Sequence, residues 1–213
     1  MKSKPLYQPG GIYHIFNHAN GRENVFEKPD NYVYFLTKYA EKVEPVVLTL
    51  AYCLMPNHFH ILVKVKEKSV LLEFLEQKAA TIGSPVPEGL NEQELLHFIV
   101  HRQFHNFLGG YSKAFNKYHQ RLGSLLRQNT CRKIVASKGY LLDALRYVHL
   151  NPVYHGFTDM PGDWLYSSYL IYLSDEDCTL PRRAMIDWMG GKEQFIRFHM
   201  EKLKGGLDDS MEK

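Results

Sequence analysis

The sequence predicts an α+β fold of the ferredoxin-like, split βαβ type, an antiparallel sheet with helices on one face, followed by a late helix and a C-terminal helical and aromatic extension. Three observations predict it. Short aromatic and β-branched runs occur in the order strand, helix, strand, strand, helix, strand. A hairpin signal joins the middle two strands. Between the strands, apolar residues recur at helical spacing.

Gly11 to Asn17 forms the first strand, after the turn residues Pro9-Gly10. Pro29-Asp30 opens a helix in which Tyr32, Phe35, Leu36 and Tyr39 share one face, and Pro45 stops it. Val46 to Leu54 is rich in β-formers, Met55-Pro56-Asn57 supplies a turn, and His58 to Lys66 alternates, so the two runs pair as an antiparallel hairpin. A period of two puts Phe59, Ile61, Val63 and Val65 on one face and His58, His60, Leu62, Lys64 and Lys66 on the other. Ser69 to Ala80 is helical, a Gly/Pro loop covers Gly83 to Gly89, and a longer helix runs from Glu92 to Tyr118, with Gly109-Gly110 as a point of breakage. Cys131 to Ala136 is the last strand, and Ser137 caps a helix from Lys138 to Leu150 that ends before Pro152. An aromatic segment, Trp164 to Tyr169, and an amphipathic helix over Glu193 to Leu203 complete the pattern. The division expected from this is a domain over residues 1–155, an accessory extension over 156–204 packed on it, and a disordered polar tail over 205–213.

A chain of 213 residues, 45% hydrophobic and 23% charged, has material for one sizeable core and excludes an intrinsically disordered protein. No apolar run is long enough for a bilayer span, and Met1 to Pro5 lacks the apolar stretch of a signal peptide, so the expected location is the bacterial cytoplasm, at the nucleoid, with no membrane partner. Cys53, Cys131 and Cys178 have no C-x-x-C spacing, which argues against a disulfide framework or zinc knuckle and for packing roles. A net charge of +3 does not diagnose nucleic-acid binding, but its distribution is informative. Arg102, Lys113, Lys117, Arg121, Arg127, Arg132, Lys133 and Lys138 lie in a segment without Asp or Glu, suited either to following a phosphate backbone or to forming a solvated face.

The strongest chemical signal is His58-Phe59-His60. Imidazoles at i and i+2 on a strand project from one face, close enough to share a metal ion, while the residue between them anchors the strand. A second signal is Tyr147 in Arg146-Tyr147-Val148-His149-Leu150-Asn151-Pro152. Leu141, Leu145 and Val148 mark the buried face of that helix, leaving Tyr147 and Asn151 four residues apart on another, with the alignment loosened by Pro152. His97, His101 and His105 recur every four residues, a spacing compatible with a metal or with a helix edge near nucleic acid. Trp164, Tyr166, Tyr169 and Tyr172 suit either stacking on unpaired bases or burial against the sheet.

Taken together, four blocks resemble a known family: Tyr13-His14-Ile15-Phe16-Asn17, Ala51 to His60, Arg121-Leu122-Gly123-Ser124-Leu125-Leu126, and Tyr147 to Val153. In this order, across residues 10 to 170, they resemble the REP-associated tyrosine transposases, a branch of the IS200-like, single-tyrosine HUH transposases. The resemblance implies that His58 and His60 are the metal pair, Tyr147 the nucleophile and Asn151 the position of a third ligand. It also implies Mg²⁺ or Mn²⁺ as cofactor and single-stranded hairpin DNA as partner. For the wider family it implies dimers that exchange tyrosines and for this branch monomers, so a monomer is expected. His18 stands where arginine is common, Leu126 where phenylalanine is frequent, and the insertion from Gly83 to Phe98 is longer than usual.

These residue types suit phosphodiester chemistry. A divalent cation polarises a non-bridging oxygen, and a phenol attacks the phosphorus once its ionisation is assisted. Such a protein cuts and rejoins single-stranded DNA through a 5′-phosphotyrosine. Two imidazoles and an amide oxygen also admit zinc. The residues alone leave open a nuclease that hydrolyses with water, with Tyr147 structural, and a catalytically idle hairpin-DNA-binding protein on the same fold.

Overall fold

In a computed structural model, residues 5–78 and 86–203 are described. The expected tail over 205–213, the start of the Gly83 loop and the end of the Ser69–Ala80 helix lie outside the described residues. Strands β1 (Ile12–His18), β2 (Val47–Met55), β3 (His58–Val65) and β4 (Cys131–Ile134) form one sheet in the order β2-β3-β1-β4. Every pairing is antiparallel, as a split βαβ unit requires. Helices α1 (Pro29–Lys42), α2 (Lys68–Lys78), α3 (Glu92–Tyr118), α4 (Lys138–Tyr154), α5 (Tyr169–Leu173), α6 (Arg182–Trp188) and α7 (Lys192–Leu203) complete the chain, with a single 3₁₀ turn at Pro161–Asp163.

The hairpin turn is the two-residue Pro56-Asn57, and it sets Met55 opposite His58. Alternation along β3 is as the sequence dictates. Phe59, Ile61, Val63 and Val65 join Tyr13 and Ile15 of β1 in a core against Phe35 and Tyr39 of α1 and Phe104, Phe107 and Tyr111 of α3. Each such side chain, once buried, contributes roughly 1.5–3 kcal/mol. On β2 the register shifts between Thr49 and Ala51, so Leu50 and Ala51 both face the opposite layer. The extra residue is a β-bulge, which resets the parity of every later side chain on the strand.

The expectation of helices on one face holds for α1 to α3 and is incomplete for the rest. Helix α4 covers the other face, where Ala144, Leu145 and Val148 pack with Leu50, Ala51, Cys53 and Leu62, backed by Tyr172 and Phe195. The histidine face of the sheet is therefore a packed layer.

Helix α3 runs unbroken through Gly109-Gly110. Two glycines cost about 1 kcal/mol each in a helix interior, but Phe107, Leu108, Tyr111 and Phe115 anchor the helix on both sides of them. Its start is fixed by Asn91 and Glu94, whose side chains each accept the other's backbone N–H. Ser137 caps α4 as expected, accepting the Tyr140 N–H. Where the sequence placed the end of α4 before Pro152, the helix continues to Tyr154. In the last turn Pro152 removes one hydrogen bond, and the His155 N–H restores the ladder by donating to the Asn151 carbonyl.

The aromatic segment is a packing element. Residues 166–168 lie along the free edge of β2, with the Leu54 N–H donating to the Tyr166 carbonyl and the Ser168 N–H to the Tyr52 carbonyl. Trp164 Nε1 donates to the Leu54 carbonyl at 3.0 Å, Tyr166 stacks on Tyr32, and the Tyr172 hydroxyl donates to the Leu50 carbonyl. An exposed strand edge is thereby covered. Helices α5 and α6 escaped the sequence reading because five- and seven-residue elements carry too few turns to show a period. Of the cysteines, Cys53 is buried as expected, whereas Cys131 and Cys178 are exposed. No helix among the described residues is long and apolar enough to cross a membrane.

Candidate active site

The site lies between β3, β1 and α4. His58 and His60 leave the same face of β3, and both are buried. Because α4 stays helical to Tyr154, Tyr147 and Asn151 lie one turn apart on the side that meets these imidazoles. The Tyr147 ring stands perpendicular to the His60 ring at 5.3 Å between centroids, and the Asn151 Oδ1 atom is 2.8 Å from His58 Nε2. All four residues singled out for chemistry are brought together within one chain. Tyr147 is 5% exposed, so its ring is packed.

Sequence reasoning missed the residues behind and beside the pair. His14 Nε2 is 2.9 Å from His60 Nδ1, and the His14 ring lies 6.0 Å from Tyr147. His18 pairs with His58 across the strands and stacks on it at 4.9 Å, and His155 packs edge-on to His58 at 4.9 Å. The signal was present as His14-x-Phe16-x-His18, three like-facing rings on β1, but it acquires meaning only when β1 is known to pair with β3.

Proton counting shows what the site accommodates. Burial, followed by the neighbouring His60, lowers the His58 pKa to about 3, so the ring is neutral and carries one N–H. Its Nδ1 lies 2.7 Å from Asn57 Oδ1 and its Nε2 faces Asn151 Oδ1. One proton cannot serve two acceptor oxygens. With the proton on Nδ1, donating to Asn57, the Nε2 lone pair faces the Asn151 carbonyl oxygen, and the buried Asn151 Nδ2 has no hydrogen-bond partner among the described residues. Either the Asn151 amide turns so that Nδ2 donates, or both lone pairs serve a shared cation. On the other ring, a His60 Nδ1–H donating to His14 Nε2 would turn the lone pair of His60 Nε2 outward, with His14 orienting the ring, the arrangement a metal ligand requires. The donor set of two imidazoles and an amide oxygen fits a divalent cation. Among the described residues no three His, Cys, Asp or Glu side chains converge as a metal cluster, so His97, His101 and His105 do not form one.

Behind α4 runs a fully assigned chain of hydrogen bonds. The Phe195 carbonyl accepts from His199 Nδ1, His199 Nε2 then accepts from His149 Nδ1, and His149 Nε2 accepts from the Ser168 hydroxyl, which itself accepts the Tyr52 N–H. The chain ties α7 to α4 and to β2. Burial lowers the His199 pKa to about 4, with the Arg146 charge acting in the same direction, and it places His149 well below its ordinary value. A lowered folded-state pKa means that the unfolded chain binds the extra proton first. Stability from His199 is therefore complete above the unfolded value of about 6.5 and is lost as pH falls toward about 4, on the order of 2 kcal/mol by pH 4.5. The expected outcome is a Tm that declines steadily from pH 7 to pH 4.5 in thermal melts; a flat profile contradicts it.

The basic segment does not form one surface. Arg121 staples the loop after α3, pairing with Glu23 and donating to Asn116 and to the Gly123 and Ser124 carbonyls. Arg102 lies over the Phe98 ring, and Lys117 is exposed on α3. Arg132 and Lys133, adjacent on β4, point to opposite faces of the sheet. Arg132 pairs with Ile15 and lies over Tyr7, while Lys133 pairs with His14 and lies over Phe16 on the histidine face. Lys113, Arg127 and Arg132 share a cavity on the α3 side.

No family model matches the chain. A REP-associated tyrosine transposase of Haemophilus influenzae (strain ATCC 51907 / DSM 11121 / KW20 / Rd) is 24% identical over 123 residues, which cover 57% of this chain and 58% of that protein. The match thus spans little more than half the length of that relative. The fold is similar to a solved structure of a REP-associated tyrosine transposase bound to a REP hairpin, with a TM-score of 0.58 and 13% identity, over 82% of this chain and 86% of the other.

Proposed function

We propose, from the similarity of this chain in sequence and in fold to REP-associated tyrosine transposases, that it is a metal-dependent endonuclease and strand transferase acting on single-stranded hairpin DNA. The observation that carries the reading is the position of Tyr147, one ring away from His60 and one helical turn from Asn151, which itself contacts His58. His58, His60 and Asn151 would hold Mg²⁺ or Mn²⁺. When bound, that cation supplies charge to a non-bridging oxygen of the scissile phosphate.

The remaining steps belong to the chain's own groups. Tyr147 presents its hydroxyl oxygen to the phosphorus. As the new O–P bond forms, the phenol gives up its proton and the bond from phosphorus to the 3′-oxygen breaks. The leaving oxygen takes a proton and becomes a free 3′-hydroxyl, leaving a 5′-phosphotyrosine. Attack by another 3′-hydroxyl reverses the sequence and rejoins strands without an external energy source. His14 holds the orientation of His60, and α4 holds Tyr147 and Asn151 in register. Since Tyr147 meets His60 of its own chain, the geometry supports a monomer without exchange of tyrosines. Residues 156–203 act as an accessory layer that buttresses α4.

The test is to incubate the intact protein with a panel of end-labelled hairpin oligonucleotides and Mg²⁺ or Mn²⁺, then to run denaturing gels. The expected result is a protein–DNA adduct that survives denaturation and carries the fragment on the 3′ side of the cut, joined through its 5′-phosphate. Cutting without an adduct would establish hydrolysis by water, and neither product across the panel would leave a binding protein.

A further inference from the structure

We propose that the cavity between α3, the β4 edge and the loop at residues 123–130 is a second DNA site, which holds one unpaired nucleotide with its base against ring side chains and its phosphate on Lys113, Arg127 and Arg132. This rests on the reading of the chain as an enzyme of single-stranded DNA. The cavity measures about 580 Å³ and lies on the sheet face opposite Tyr147. That volume is in the range of about 300–1,000 Å³ typical of small-ligand sites.

Its chemistry is one-sided. Three cations line it and no Asp or Glu does, and among the described residues none of the three cations forms an ion pair. Arg132 is half-buried with its guanidinium 4.1 Å from the centre of the Tyr7 ring, and its Nε has no hydrogen-bond partner among the described residues. A partly desolvated guanidinium without a carboxylate is a site for an anion, and phosphate suits its fork of donors. One side of the lining is made of rings. The buried Tyr7 ring lies near-parallel to the rings of His97 and Phe104, and the exposed His101 and His105 continue the row along α3 with nearly parallel rings 6.3 Å apart. Rings beside cations are how proteins hold unpaired bases. His97 Nδ1 accepts the Tyr7 N–H, which leaves Nε2 as a donor toward a ligand.

A free nucleotide and a nucleotide within a strand share this chemistry, and the edge strand favours the second. Arg132 faces the cavity and its neighbour Lys133 faces the histidine side, so positive charge continues around the β4 edge from one face of the sheet to the other. A lone nucleotide has no use for Lys133, whereas a strand passing around the edge would contact both.

Fluorescence anisotropy of a labelled short single-stranded oligonucleotide, measured in EDTA so that no cutting intervenes, tests the assignment. In Lys113→Gln/Arg127→Gln, whose substituted side chains are exposed, affinity is expected to fall about tenfold and the salt slope by roughly 0.7 per cation removed. Arg183→Gln, on the exposed side of α6, serves as the charge control and should bind as the unmodified protein does. A 2-aminopurine base in the oligonucleotide should be quenched on binding and less so in His101→Ala. Unchanged affinity and slope in the double variant would overturn the proposal, as would displacement of the oligonucleotide by deoxynucleoside monophosphate at comparable concentration. Strand binding with these properties but no phosphotyrosine adduct would sink the tyrosine reading alone.

Discussion

Tyr147→Phe is expected to abolish both cutting and the covalent adduct, by roughly 10³-fold or more, as removal of an attacking nucleophile does. The substitution deletes one oxygen and keeps the ring that packs against His60, His14 and Tyr154. Its effect on stability should therefore stay within about 1 kcal/mol, as for near-isosteric changes. That pairing of outcomes separates a nucleophile from a packing residue. Gel assays for cleavage and adduct, run beside thermal melts on the same preparation, read both quantities. Cleavage that persists in Tyr147→Phe without an adduct assigns the chemistry to water, cleavage that persists with one assigns it to another side chain, and either outcome makes Tyr147 structural.

His60→Ala should be nearly as severe and for a different reason. It removes one donor of the candidate cation site, and it deprives His14 of its 2.9 Å contact with His60 Nδ1. Loss of an inner ligand is expected to exceed the 10- to 100-fold penalty that outer partners of metal ligands commonly carry. Calorimetric titration with Mn²⁺ should show binding to the native protein and none to His60→Ala. Cutting should drop to the level seen in EDTA. Should the variant bind Mn²⁺ as tightly as the native chain, His60 is not a ligand and the centre must be rebuilt around other groups. The variant also leaves a cavity at a fully buried position, so a lower Tm is expected alongside.

Much of this site was legible because short-range rules govern its parts. The period of a strand places His58 with His60, and the period of a helix places Tyr147 with Asn151, before any fold is known. The meeting of the two pairs was legible only through the family resemblance, since neither period says that α4 crosses the histidine face. The split βαβ pattern put its helices on one face and left the late helix without a stated place on the sheet. Pro152 misled in the same way: a local rule ends the helix there, whereas packing of Leu150 and Asn151 against the sheet carries it on to Tyr154. His14 was invisible for a third reason, because its role comes from the pairing of β1 with β3 across 46 residues of chain. The basic segment shows the converse error. Charge counted along the chain groups Arg121 with Arg132, but one is consumed by Glu23 and loop carbonyls while the other lines a cavity.

The buried residues of the α1–α3 core all fall between Tyr7 and Leu126, while those completing the histidine side run from Val135 to Phe195. As the polypeptide leaves the ribosome, one half of the sandwich can close while the imidazoles still face solvent, since folding during synthesis proceeds from the amino end. Tyr147, the proposed nucleophile, arrives later, on the helix that covers them. On the proposed reading, a nascent chain cannot cut nucleic acid until α4 has emerged and closed over the imidazoles.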